Sequence, residues 1–197
     1  MELDETKAGL RAVLRDRRRA MSPETLAAAA EGLTRAVLAR PEVAAARLIA
    51  LYVSYGPEPD TTALRKELRA RGVRVILPVL LPDNDLDWAE DAGDAELYYP
   101  LRGPATPRGP RLGIDAVAQA DLVIVPGLAV DRDGVRLGQG GGSYDRALAR
   151  VAPGVPVIVL LHDGEVLAPG AVPCDLHDRR VTGWVAPADA PAAHSAR

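Results

Sequence analysis

The sequence predicts an α/β layered fold built on a mainly parallel β-sheet. Three observations lead there. From Leu48 onward, short runs rich in Val, Ile and Leu alternate with stretches of helical periodicity. Those runs are apolar at nearly every position, the pattern of strands covered on both faces. A chain of 197 residues, 48% apolar and 26% charged, can bury one sizeable core, so an intrinsically disordered protein is excluded.

Each element has its own signal. The first 47 residues read as helix. Thr6 is placed to cap a segment whose Leu10, Val13 and Leu14 follow i, i+3, i+4 spacing. At Met21-Ser22-Pro23-Glu24 the chain breaks and restarts, with Ser22 as N-cap and Pro23 at the first helical position. The second helix runs to about Arg40, with Leu26, Leu33, Val37 and Leu38 facing inward. Leu48 to Val53 is the first strand. Asp60-Thr61 then cap a helix that Gly72 ends, and Val73 to Leu80 is the second strand. Residues 81 to 114, rich in Pro, Gly and Asp, are less regular; Leu86-Asp87-Trp88 and Glu96 to Leu101 are candidate antiparallel strands beside the sheet. Asp121 to Val125, Val155 to Leu161 and Arg180 to Val185 complete the set, and a helix is expected over Tyr144 to Arg150. The Ala- and Pro-rich stretch 186–197 reads as a disordered tail, leaving 1–185 as one domain.

Composition narrows the function. A formal charge of −3 argues against a general nucleic-acid binder. No apolar run approaches the roughly 18 residues that span a bilayer, and the acidic start Met1 to Glu5 is unlike a secretory signal. Cys174 is the single cysteine, so no internal disulfide forms and a reducing, cytoplasmic setting is expected. Only Lys7 and Lys66 among 24 basic residues are lysine. Arginine is therefore the default cation, so each lysine stands out, and Lys7 suggests a need for a compact point charge.

The densest signal is Pro126 to Arg146. It follows a buried strand and contains Arg136-Leu137-Gly138-Gln139-Gly140-Gly141-Gly142-Ser143-Tyr144-Asp145-Arg146. Four glycines in five positions let backbone N–H groups approach an anion closely, and a helix comes directly after them, so the loop suits phosphate. It is neither a Walker A loop, lacking Gly-Lys-Ser/Thr, nor a dinucleotide fingerprint, since Ser143 stands where a third glycine belongs. A tight turn without ligand remains the alternative on the glycines alone. Asp145 reads first as a helix-dipole partner; beside phosphates it is a natural Mg²⁺ ligand. Lys7, Arg11 and Arg18 share one face of the first helix, with Arg15 close by, as a solvated charge run or as a phosphate-facing surface. Glu58, between Pro57 and Pro59 at the end of the first strand, sits where α/β folds place ligands. His162, His177 and His194 lack metal-ligand spacing, and no Gly-x-Ser-x-Gly elbow is present.

Together these residues resemble the 5-formyltetrahydrofolate cyclo-ligase family, from Lys7-x-x-x-Arg11 to about Val185. The likeness rests mainly on Val125 to Arg146. Tyr52-Val53-Ser54, Glu58-x-Asp60-Thr61, Leu77-Pro78-Val79 and the Pro173 to Asp178 turn support it. The resemblance implies a three-layer α/β fold like that of sugar-phosphate isomerases and CoA transferases. It implies ATP-dependent cyclisation of 5-formyltetrahydrofolate to 5,10-methenyltetrahydrofolate, releasing ADP and phosphate. Lys7, Arg11 and the run Arg136, Leu137, Gly138, Gln139, Gly140, Gly141, Gly142, Ser143, Tyr144 would hold ATP, with Lys7, Arg136 and Asp145 carrying the chemistry. Asp145 and Asp178 would serve Mg²⁺, and Tyr52 and Glu58 would contact the folate. Gln139 and Ser143 depart from residues common in the family. The expected partners are small molecules, with no nucleic acid or membrane, and the protein is expected as a monomer or small homo-oligomer. A sugar-phosphate isomerase-like enzyme and a non-catalytic nucleotide- or folate-binding module are the competing readings.

Overall fold

Alternation of side chains along the strands divides the core into two halves, one on each face of the sheet. The computed structural model describes residues 2–101, 103–175 and 178–189. His177, His194 and the expected tail from 190 onward lie outside them. In chain order the elements are α1 (Glu2–Arg19), α2 (Pro23–Leu38), α3 (Pro41–Ala45), β1 (Leu48–Ala50), α4 (Thr62–Ala70), β2 (Arg74–Leu80) and β3 (Leu86–Glu90). Next come β4 (Leu97–Tyr98), β5 (Thr106–Pro107), β6 (Leu122–Pro126), β7 (Ala129–Asp131), β8 (Arg136–Leu137), α5 (Ser143–Leu148), β9 (Val157–Leu160), β10 (Val166–Leu167) and β11 (Gly183–Val185).

The main sheet has the order β11-β9-β6-β1-β2-β3, with all neighbours parallel except β2 and β3. Ile49, Val75, Leu77, Ile124 and Leu160 cluster with Leu33 and Val37 of α2, Val43 of α3, and Leu64 and Leu68 of α4. The residues between them, Ala50, Ile76, Val123, Val125 and Val159, cluster instead with Val117 and with Ala147 and Leu148 of α5. These are the three layers of the expected α/β fold. With no Phe in the chain, Trp88 and Tyr52 supply the aromatic bulk of the core.

Several local expectations hold. Ser22 caps α2, its hydroxyl accepting the Thr25 N–H at 3.3 Å. Asp60 rather than Thr61 does the capping at α4, its carboxylate accepting the Thr62 N–H at 2.6 Å. Leu86-Asp87-Trp88 belongs to β3 and joins the main sheet as its antiparallel edge. Within Glu96 to Leu101 only Leu97–Tyr98 pairs, in a separate two-stranded ribbon with β5.

Others are corrected. Thr6 does not cap α1; it lies inside a helix that begins at Glu2. Val13 does not face inward and is 57% exposed. The buried face of α1 instead runs through Lys7, Leu14 and Arg18, so charged residues occupy positions that a hydrophobic count assigns to solvent. Leu14 seats the helix on a second, small sheet, β10-β7-β8, against Leu128, Val135, Leu137 and Val172. Those strands of two or three residues are too short for alternation to register, and the sequence reads them as loop. Residues 186–189, expected to begin the tail, form a 3₁₀ turn at Pro187–Asp189 packed on α2. Gly32 makes room for it, since a β-carbon there would lie 3.1 Å from that of Pro187.

Strand order determines where a cleft opens. From β1 the chain steps one way to β2 and β3, then returns to the other side at β6. The connections leaving β1 and β6 therefore diverge, and a crevice opens beyond the carboxyl ends of the strands.

Candidate active site

The crevice is a cleft of about 1270 Å³. Tyr52 and Val53 enter it from the end of β1, Pro78 and Leu80 from β2, and Pro126 and Gly127 from β6. The glycine loop and α1 form another wall, and Ala105 and Thr106 close the apolar side. Every residue expected at the site lines this one cleft, including residues as distant in sequence as Lys7, Glu58, Asp145 and Asp178.

α1 faces the cleft with cations. Lys7 is only 9% exposed, and its Nζ donates to Asp178 Oδ2 at 2.6 Å. At Lys7 the charged helix face is therefore confined, not solvated. Burial alone would raise the Asp178 pKa, but the Lys7 hydrogen bond, the Asp175 N–H and the nearby Arg136 outweigh it and hold the carboxylate below its ordinary range. One turn on, Arg11 Nε donates to Gly138 O at 2.9 Å, and Arg15 donates to the side chain and carbonyl of Gln139. Arg18 has a different task. It is 2% exposed and forks onto Glu165 at 2.7 Å through Nε and Nη2, with Nη2 also reaching Gly127 O.

The glycine loop is held by its carbonyls. Among the described residues, the N–H groups of Gln139, Gly140, Gly141 and Gly142 make no hydrogen bond. Gly140 (φ 105°) and Gly142 (φ 68°) take left-handed conformations that a side chain would strain. The helix behind them, α5, has only six residues, so positive charge at this wall comes from side chains more than from a helix dipole. Arg136 is the nearest. It is buried, donates from Nη1 to Pro126 O and from Nη2 to Asp145 Oδ1, both at 3.2 Å, and lies over the Tyr144 ring at 5.8 Å. Its Nε is buried without a partner.

Asp145 and Asp178 converge through these contacts, since the Arg179 N–H reaches Asp145 Oδ1 at 3.4 Å. Among the described residues no group of three or more His, Cys, Asp or Glu could cage a metal. Two carboxylates in a cleft fit Mg²⁺ only if phosphate oxygens and water complete its shell, which is the usual way that ion is bound beside a nucleotide.

Burial raises the Glu58 pKa, although the Tyr55 N–H, the Arg18 charge and the Gln139 side chain counter it. Burial together with the Glu58 charge also pushes the Tyr144 phenol well above its usual value, so it stays protonated. Tyr52 lines the cleft, and its hydroxyl donates to Pro59 O at 2.8 Å. Site residues that sequence reasoning passed over include Tyr55, Leu80, Leu86 and Arg179. The exposure of Tyr55 and Leu80 beside a cleft would have flagged them, but only once the strand ends were in place.

No helix among the described residues is long and apolar enough to cross a membrane. The sequence profile of the 5-formyltetrahydrofolate cyclo-ligase family matches residues 3–187. The 5-formyltetrahydrofolate cyclo-ligase of Mycolicibacterium smegmatis is 36% identical over 146 residues, 72% of this chain and 74% of that protein. Its Escherichia coli K12 counterpart is 33% identical over 138 residues, 69% and 76% of the two chains. The NMR structure of Aquifex aeolicus 5,10-methenyltetrahydrofolate synthetase superposes with a TM-score of 0.78 at 27% identity, covering 92% of this chain and 89% of its own. A Mycoplasma pneumoniae synthetase, 19% identical, shares the fold with a TM-score of 0.71 over 91% and 97% of the chains. The family match spans α1, the glycine loop and both candidate metal carboxylates, all brought to one cleft by the same topology: the chain belongs to the 5-formyltetrahydrofolate cyclo-ligase family.

Proposed function

We propose that the cleft binds ATP and 5-formyltetrahydrofolate side by side and closes the folate to 5,10-methenyltetrahydrofolate, releasing ADP and phosphate. One observation carries the reading: buried cations and loop residues whose N–H groups are unpaired among the described residues line the same cavity as a carboxylate and apolar side chains. Phosphates suit the first set and a reduced pterin the second.

In this reading the N5-formyl oxygen attacks the γ-phosphorus, an O–P bond forms and the bond to ADP breaks. N10 then adds to the activated carbon and gives up its proton, and the C–O bond to phosphate cleaves. Such transfer needs positioning and charge neutralisation more than a protein nucleophile. Lys7 and Arg136 are paired to Asp178 and Asp145 in the structure, and both are positioned to shift their charge toward phosphate as it enters. Arg11 fixes the loop through Gly138 O and presents its remaining guanidinium donors to the same wall. Asp145 and Asp178 would hold Mg²⁺, which when bound neutralises phosphate charge. Glu58 is placed to accept N–H groups of the pterin. The chain through Asp189 would act as one unit in the cytoplasm.

The decisive measurement is ADP release with and without 5-formyltetrahydrofolate. Release that depends on the folate supports the reading; ATP hydrolysis indifferent to it, or none, overturns it. Asp145→Asn keeps the side chain's shape and removes its charge. It is expected to raise the Mg²⁺ concentration for half-maximal rate by about tenfold, roughly the value of one charge-assisted contact. An unchanged Mg²⁺ titration would return Asp145 to the role of ion-pair partner for Arg136.

A further inference from the structure

His162 is a buried titratable group that the proposed phosphoryl transfer does not use. It lies just after β9, is 3% exposed, and lines a separate cavity of about 620 Å³ rather than the cleft. Its Nε2 lies 3.1 Å from the carbonyl oxygen of Pro57. A carbonyl only accepts, so Nε2 carries the proton and donates. Nδ1 is left as an acceptor, buried and without a partner. Burial also keeps the imidazole pKa below its usual value, which agrees with a neutral ring.

The contact constrains the backbone immediately before Glu58. That residue lies between two prolines whose φ angles are fixed by their rings. The carbonyl on one side accepts from His162, and that of Pro59 on the other accepts from the Tyr52 hydroxyl at 2.8 Å. The Glu58 backbone is thus clamped at both ends where the residue lines the cleft, and its carboxylate accepts the Tyr55 N–H at 3.0 Å. His162 is itself immobilised: its backbone N–H donates to Glu165 Oε2 at 2.7 Å, and the Glu165 carboxylate is gripped by Arg18 from α1. A continuous chain therefore runs from the helix carrying Lys7 and Arg11, through Arg18, Glu165 and His162, to the carbonyl beside Glu58.

We infer that His162 is a positioning residue: by donating to Pro57 O from behind the cleft wall it sets the Glu58 carboxylate for the reduced folate. This rests on the proposed role of Glu58, and the experiment separates the two. His162→Ala removes the donor. His162→Gln retains an amide N–H at a similar reach from the backbone. Steady-state kinetics, folate binding by fluorescence titration without ATP, and thermal denaturation are measured for both, for Glu58→Gln and for His162→Ala/Glu58→Gln. His162→Ala is expected to raise the KM and Kd for 5-formyltetrahydrofolate about tenfold, the value of one buried hydrogen bond. The KM for ATP and kcat should stay within about twofold, and Gln should recover most of the loss. In the double variant the effects should be less than multiplicative. If Glu58→Gln weakens folate and His162→Ala does not, the positioning role is overturned while the reading of Glu58 stands. If both substrates' KM values rise together with lowered thermal stability, and Gln does not rescue, His162 is merely structural and the inference fails. If neither variant alters folate binding, the reading of Glu58 falls and takes this inference with it.

Discussion

Replacing Lys7 with methionine is expected to lower kcat/KM for ATP by about a hundredfold, while even Lys7→Arg should lower it by at least about tenfold. The magnitude is that of one charge-assisted contact to phosphate, about 1.5–3 kcal/mol. The difference between the variants comes from shape. Lys7 is almost wholly buried beside Asp178, at a position that admits a compact ammonium. A planar guanidinium is wider and longer, and must displace either the Asp178 turn or the incoming phosphate. Lys66, the other lysine, lies exposed on α4, and Lys66→Arg should leave the kinetics unchanged. Steady-state measurements on the three variants decide the matter. Wild-type kinetics in Lys7→Arg would mean that the lysine serves only to pair with Asp178.

The largest loss of stability is expected away from the cleft, at Asp91. Its carboxylate is fully buried and accepts from Arg65 at 2.8 and 2.9 Å, from Arg69 at 2.6 Å and from the Gly93 N–H at 3.1 Å. Removing one partner of a buried pair leaves an uncompensated charge and typically costs about 3–5 kcal/mol. For a chain of this length, Asp91→Ala should therefore lower Tm by about 6–20 °C. The penalty should also depend on pH. Burial would raise the Asp91 pKa, but the Arg65 hydrogen bonds and charge, with Gly93 and Arg69, outweigh it and hold the group below its ordinary value. A lowered folded pKa means that the stabilisation is present above the unfolded value near 3.9 and fades as pH falls through the folded one. The gap between wild type and Asp91→Ala should thus be constant near neutrality and narrow only below about pH 4. Denaturant melts at pH 7 and below pH 4 check this. A gap that widens on acidification would contradict it.

Much of the layered core was legible in the residues. The helix restart at Ser22-Pro23, the stop at Gly72 and the apolar runs at 74–80, 122–126 and 157–160 depend on local forces: capping, backbone freedom and continuous burial. The resemblance carried by Arg136 to Arg146 located the cleft wall for a similar reason, since its glycines and charges are adjacent in sequence. The small sheet β10-β7-β8 was not legible. Its strands are two or three residues long, and β10 comes from a segment far along the chain from β7.

The sequence by itself determined the elements whose stability is local, the layer pattern set by their periodicity, and the residue types able to meet phosphate. Only the tertiary structure decided how those residues are used. Arg18 shared a helical face with Lys7 and Arg11, yet it turns to Glu165 because that carboxylate, 147 positions later, is buried within reach. Tyr52 lines the cleft, and there its hydroxyl donates to Pro59 O. His162 lacked any motif and acquired a partner only when β9 was laid beside β6, at the far side of the β1 loop. Periodicity states which face of an element a side chain occupies. Its hydrogen-bond partner is fixed by long-range packing, because a buried donor or acceptor must be satisfied by whatever the fold brings within about 3 Å.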